Sequence, residues 1–221
     1  VMLWILSRYG PSGSVSQAFT NEKNSLVTRT MANFVENGQT QYACTGWTLR
    51  GNDPSSGAGA SAVFTQTNNA LLVWEWSANY WLDTTGSRTQ PTSSWQAAGS
   101  QVVVTGYSSR DYYHFDYWTG SVPSGGAYSN PLALLMDEPK VLTVNLAPNL
   151  AANETPEWWL AFHGWTTNFD AAALADQDGD RVPSWEEYRS DTVPTNSDSY
   201  LRLISIPREG GAMARWAGGT G

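Results

Sequence analysis

The feature that most narrows the fold is a repeat inside the first 150 residues. Tyr42-Ala-Cys-Thr-Gly-Trp47-Thr is echoed by Tyr113-His-Phe-Asp-Tyr-Trp118-Thr, with Tyr and Trp five apart in each copy. Fifteen residues after the first Trp and fourteen after the second, a paired run begins: A-V-F-T-Q-T-N-N-A-L-L-V-W-E-W (62–76) and L-A-L-L-M-D-E-P-K-V-L-T-V-N-L (132–146). Each run predicts a hairpin, strand–turn–strand, turning at Asn68-Asn69 and at Asp137-Glu138-Pro139. In the second strands, Leu72, Trp74 and Trp76, and likewise Leu142, Val144 and Leu146, recur at every second position. That is the signature of a sheet with one buried face. The loops N-D-P-S-S-G-A-G-A and S-V-P-S-G-G-A-Y-S-N carry turn chemistry and little apolar surface. The expectation is a mainly β protein opening with two small tandem modules, residues 1–78 and 79–148.

Composition agrees. Charged residues make up only 14% of the 221-residue chain while aromatics reach 13%, with 12 Trp, a balance that suits strands better than helices. Modules this small bury limited core, and large aromatic side chains compensate through area. The opening V-M-L-W-I-L is too short for a signal peptide or a membrane span and predicts a buried strand. No initiator Met precedes it, so the chain is expected to be a processed product or a fragment. The single Cys44 excludes an intrachain disulfide; lying in an aromatic strand, it is expected to be a buried, inert thiol.

These residues resemble a family. Y-x-C-T-G-W-T-L-x-G-N, W-x-A-A-G-S-x-V-x-V-T, Y-H-F-D-x-W-T-G-x-V-P-S-G and N-P-L-x-L-x-M-D-E-P-K are similar to the divergent bacterial repeat related to the internalin-type B-repeat. The resemblance covers residues 1–148. It implies grasp-like β modules serving as spacers or binding units of secreted or surface proteins, without catalytic activity.

Charge directs attention to the next segment. The net charge of -8 resides in residues 151–198, which carry 10 acids and 2 bases. Local acidity of this kind repels nucleic acid and anionic membrane and attracts cations. Residues 149–155 read as a linker. Thr155 is expected to cap a helix over Pro156–His163, with Pro156 at the first helical position and Gly164 ending it. A second short helix, Phe169–Ala175, with Asn168 as its cap, runs into D-Q-D-G-D-R-V-P-S-W-E-E-Y.

Counting from Asp176 places Asp178, Asp180, the Val182 carbonyl, Ser184 and Glu187 at positions 3, 5, 7, 9 and 12. A hard divalent cation wants six to eight oxygens, which alternate loop residues supply and a Glu on the exiting helix, Trp185–Arg189, closes. Catalytic carboxylate pairs face each other across a cleft from different elements. Solvated helix faces repeat at three or four residues, not two. The spacing therefore points to Ca²⁺ held by Asp176, Asp178, Asp180, Val182, Ser184 and Glu187. The segment also resembles the D-x-D-G-D-G-x-x-x-x-E-E-Y calcium motif of thrombospondin type 3 and dockerin-like repeats, over residues 155–198. It departs from that pattern in carrying Arg181 where the loop turns sharply, which predicts a left-handed residue and a weak affinity of roughly 0.1–1 mM. Val193 stands where the pattern has Asp, which weakens any second site built from Asp191, Asn196 and Asp198.

Other chemistry is sparse. Neither His114 nor His163 belongs to a metal or nucleophile motif, and both are expected to be structural. A hydrolase using Asp111 or Asp116 beside His114 is the weakest option. Tyr80-Trp81 and Tyr112-Tyr113 are candidates for sugar stacking, against the simpler reading as core. Residues 199–221 predict a β-hairpin, the start of a further β module or an assembly strand. The sequence thus predicts a non-enzymatic, secreted bacterial or cell-surface structural protein, acting as spacer, adhesin or self-assembling fibre subunit. Head-to-tail self-association or neighbouring domains of a longer chain are its partners. The alternative is a glycan-binding accessory region of a secreted polysaccharide-degrading enzyme.

Overall fold

The computed structural model describes residues 1–10, 13–205 and 215–217. Strands account for 49% of it and helices for 11%, so the protein is mainly β. The chain forms two compact units, Val1–Gly106 with Tyr117–Val144, and Tyr107–Asp116 with Asn145–Gly221. The expected boundary after Ala78 falls inside a continuous strand, and segments 149–198 and 199–221 share the second unit.

The strands are β1 (Met2–Ser7), β2 (Val15–Thr20), β3 (Ser25–Thr30), β4 (Phe34–Asn37), β5 (Thr40–Arg50), β6 (Ser56–Ala58), β7 (Ser61–Gln66) and β8 (Ala70–Thr85). There follow β9 (Arg88–Gln90), β10 (Ser94–Ala97), β11 (Gln101–Tyr107), β12 (Tyr113–Gly120), β13 (Leu132–Leu135) and β14 (Lys140–Pro148). The pairing repeats itself. β1 is antiparallel to β2 and parallel to the start of β8, which is antiparallel to β5. The end of β8 is antiparallel to β10 and parallel to β14, which lies beside β12. Outside the main sheet, β3 pairs with β7 and β11 with β13. β8 is therefore the closing strand of the first set and the opening strand of the second.

Two expectations need correction. The runs 62–76 and 132–146 each turn where the sequence placed a turn, but their strands do not pair as hairpins. β7 bonds β3 and β8 bonds β5, while β13 bonds β11. The turn residues dictate a reversal, but the partner is chosen by non-local packing. The opening apolar run is buried on one face only. Leu3 and Ile5 point inward while Trp4 and Leu6 are exposed, as period-two geometry requires.

The predicted alternation holds over Leu72, Trp74, Leu142 and Val144, which are buried while Val141 is exposed; Trp76 and Leu146, expected on the same face, are only partly buried. The first core joins Leu3, Ile5, Val27, Trp47, Leu49, Phe64, Leu72 and Trp74. At matching places in the second set, Val102, Val104, Trp118, Leu132 and Leu134 are buried. The echoed tryptophans do the same work. Trp47 Nε1 donates to the Ser61 carbonyl at 2.9 Å, and Trp118 Nε1 to the Ser129 carbonyl at 2.9 Å. A buried indole needs such a partner. Cys44 is half-buried rather than buried, and partial burial raises its thiol pKa.

In the second unit, residues 149–155 are ordered rather than a plain linker. β15 (Leu150–Ala151) pairs with β16 (Thr155–Pro156) across a short 3₁₀ turn. Pro156, expected at the first helical position, instead stands at the N-cap of α1 (Glu157–Phe162) without a side-chain cap bond. Thr155 does not cap it; the hydroxyl donates to the Ala152 carbonyl at 2.9 Å, because Thr155 is drawn into the strand pair. Asn168 precedes α2 (Phe169–Leu174) in a left-handed conformation without a side-chain cap bond. The hairpin expected near the C-terminus is present as β17 (Arg202–Ser205) antiparallel to β18 (Arg215–Ala217); its connecting turn and the Gly-rich tail lie outside the described residues.

Candidate metal centre

Small residues bring the helices together. Ala151, Leu160, Ala172 and Ala173 form a buried cluster, with Trp159, Trp165, Phe169 and Trp185 packed around it. This cluster anchors α2 and the following α3 (Ser184–Ser190), which flank the acidic loop. Ser184 closes the neck of that loop: its N–H and its hydroxyl both donate to the Ala175 carbonyl, at 2.9 and 3.1 Å.

Within the loop the aspartates fold the backbone around themselves. Asp176 accepts from the Gly179 amide at 2.8 Å through Oδ1 and from the Arg181 amide at 2.9 Å through Oδ2. Asp178 Oδ1 accepts from the Asp180 amide at 3.2 Å, and Asp180 Oδ1 from the Val182 amide at 2.8 Å. Gly179 stands at φ 82° and Arg181 at φ 78°, so the left-handed turn expected at Arg181 is present. The three aspartates bring carboxylate oxygens within 4.8 Å of one another.

Glu187, on α3, has no exposed surface. Its Oε1 accepts from the Thr192 hydroxyl at 3.4 Å, a long bond. Glu187 Oε2, Asp178 Oδ2 and Asp180 Oδ2 are buried without a hydrogen-bond partner, and among the described residues no ion pair reaches any of the four carboxylates. The cost appears in the acidity of Glu187. Burial first, then the charges of Asp178 and Asp180, push its pKa up to about 7, with the Thr192 hydroxyl pulling the other way.

Ser184 is where the sequence placed it, but its hydroxyl is engaged by Ala175. Val182 lends its amide to Asp180. Thr192 is the residue that sequence reasoning missed: Asp191 ends α3 at φ 55°, and the Thr192 amide returns to the Glu187 carbonyl at 3.0 Å. The acidic pattern carries no signal for that contact. Asp191 and Asp198 stand outside the aspartate cluster; Asn196 Oδ1 is taken by the Asp198 amide at 3.2 Å.

Several of the other candidates have structural partners. His114 Nδ1 bonds Asn149 Oδ1 at 2.8 Å. His163 caps α1 and packs on Trp159 and Phe162, and burial lowers its pKa. Trp81 meets Trp95 edge-on, Tyr112 meets Phe169, and Arg110 lies over Tyr113. In the second unit the exposed Trp158 and Phe162, with Trp159, His163, Asp191 and Thr192, line a cleft of about 210 Å³. No protein-family model matches the chain, and neither a characterised protein nor a solved structure matches it.

Proposed function

We propose that this chain is a non-enzymatic structural element of an extracellular or cell-surface protein, built from two grasp-like β modules and a segment that one calcium ion orders. The observation that carries the calcium reading is the set of three buried, partnerless carboxylate oxygens on Asp178, Asp180 and Glu187. Burying such groups without compensation is costly, and a hard divalent cation compensates all of them together. Asp176, Asp178, Asp180 and Glu187 would hold the ion, with Val182 and Ser184 completing the set as the spacing implies. The ion would supply positive charge to carboxylates that, among the described residues, no ion pair reaches. The surface role, a bacterial secreted origin and head-to-tail association or neighbouring domains as partners rest on the family resemblance and on the absence of a catalytic constellation in the sequence.

Ion binding to the folded state alone stabilises it by RT ln(1 + [L]/Kd), so 10 mM Ca²⁺ at a Kd of ~0.1–1 mM adds roughly 1.5–3 kcal/mol. Thermal melting and calorimetry with Ca²⁺ against chelator test this. A chain that binds no Ca²⁺ at 5 mM, and melts identically with chelator, overturns the reading.

A second reading, glycan binding, has one observation in its favour: Phe162 is 79% and Trp158 38% exposed at the rim of the same cleft. Binding to insoluble polysaccharide that Phe162→Ala and Trp158→Ala together abolish would favour it over the structural reading.

A further inference from the structure

The pairing in the first unit has a mechanical consequence. The chain enters β1 at Met2 and leaves along β8 beyond Val73, and these strands are parallel, in register from Leu3↔Ala70 to Leu6↔Val73. Tension on the chain therefore pulls β1 backward and β8 forward along their common axis. All bonds of the pair are loaded together, in shear. The second set repeats this: β8 is now the incoming strand and β14 the outgoing one, parallel from Leu82↔Lys140 to Thr85↔Thr143. One unbroken 16-residue strand, β8, belongs to both pairs.

Side chains protect each pair. Leu3, Leu72, Leu82 and Leu142 have no exposed surface, and Ile5 and Ala70 are 4% and 2% exposed, so one face of each pair is sealed against water, while Trp4, Leu6 and Val141 lie on the exposed face. Polar latches secure the ends. Asn69 Oδ1 accepts from the Met2 amide at 2.9 Å, and the fully buried Gln66 donates through Nε2 to the Met2 carbonyl at 2.8 Å. In the second pair, the Thr85 and Thr143 hydroxyls bond at 2.9 Å, and Thr85 Oγ1 also reaches the Leu142 carbonyl at 3.4 Å.

We infer that the first unit is a force-bearing element made of two shear clamps in series, joined by β8. The inference deepens the structural reading above and is independent of the ion, since no clamp residue belongs to the acidic loop.

The test is single-molecule force spectroscopy on the full chain in chelator, which separates it from the calcium reading. Handles at the two termini load both clamps in shear. Handles at the N-terminus and at Asn68→Cys, in a Cys44→Ser background, open β1 from β8 at their shared end, one bond at a time. At equal pulling speed, terminal loading should rupture the unit at a force at least roughly threefold higher, because forced unfolding follows the unfolding rate along the loaded direction. Equal forces in the two directions overturn the inference. Thr67→Cys offers the same geometry if Asn68→Cys does not reach the wild-type melting temperature.

Discussion

The backbone amide of Arg181 donates to Oδ2 of Asp176 at 2.9 Å while Arg181 stands at φ 78°. The bond explains why a non-glycine residue accepts a left-handed conformation: the first aspartate of the loop holds the sixth residue in the turn. The loop is thereby pre-shaped, at a cost in backbone strain, and its sixth residue adds a positive charge to an otherwise acidic loop.

Arg181→Gly removes both penalties. The left-handed cost of ~1–2 kcal/mol disappears, offset by ~0.4–1 kcal/mol of added freedom in the unfolded chain, so stability in chelator should hold or rise slightly. Calcium affinity should rise several-fold as a positive charge leaves the loop. Calorimetry of both proteins at equal ionic strength checks this, and an unchanged or weaker affinity contradicts it.

Glu187 makes stability pH-dependent. Its folded pKa of about 7 lies above the ordinary 4.5, so between those values the folded state holds a proton that the unfolded chain releases. In chelator, the Glu187 contribution is fully present below pH ~4.5 and is lost as pH rises through ~7. Calcium reverses the preference, because it binds the carboxylate and releases that proton. Affinity should therefore rise from pH 5.5 to 7.5. Glu187→Gln should flatten the chelator profile and weaken calcium binding at least about tenfold, as removal of the closing ligand demands. Denaturant titrations across this pH range decide the first point and calorimetry the second.

Trp47 and Trp118 should carry comparable loads, each being buried with its indole N–H bonded to a serine carbonyl. Replacing either by Ala should cost ~3–5 kcal/mol. Phe should recover part of that loss, though Ser61 or Ser129 is left without its donor at ~1 kcal/mol. Chemical denaturation of the four variants measures this; a cost below 1 kcal/mol for either Ala variant would remove that tryptophan from the core.

Much of this was legible in the sequence because it is local. Alternation in Leu142 and Val144 fixed which face of β14 is buried, and the tyrosine–tryptophan echo located β5 and β12. Aspartates two apart located the acidic loop, and the left-handed Arg181 followed from its position in it. What was not legible is non-local. Asn68-Asn69 signals a reversal, but nothing in that turn says that β7 will bond β3 while β8 bonds β1 and β5. The burial of Glu187 and its contact with Thr192 depend on how α3 ends and on the packing around it. Ser184 shows the limit of position counting: a hydroxyl at the right place can be claimed by a nearer carbonyl, here that of Ala175.

Two glycines test the repeated pairing directly. Gly51, at φ 96°, follows β5, and an added Cβ would run into the Asn69 carbonyl just before β8; Gly120, at φ 98°, ends β12, and a Cβ there would strike the Val141 carbonyl in β14. Gly38 shares the left-handed conformation, at φ 61°, but has open space where its Cβ would lie. Gly38→Ala should therefore register the conformational cost alone, at most ~1–1.5 kcal/mol after the unfolded-state gain. Gly51→Ala and Gly120→Ala add a collision with a backbone carbonyl fixed in the sheet, which should raise the loss by a further ~1–3 kcal/mol. Urea denaturation of the three variants reads the difference. If Gly51→Ala and Gly120→Ala cost no more than Gly38→Ala, β5 and β12 do not make equivalent close approaches to β8 and β14.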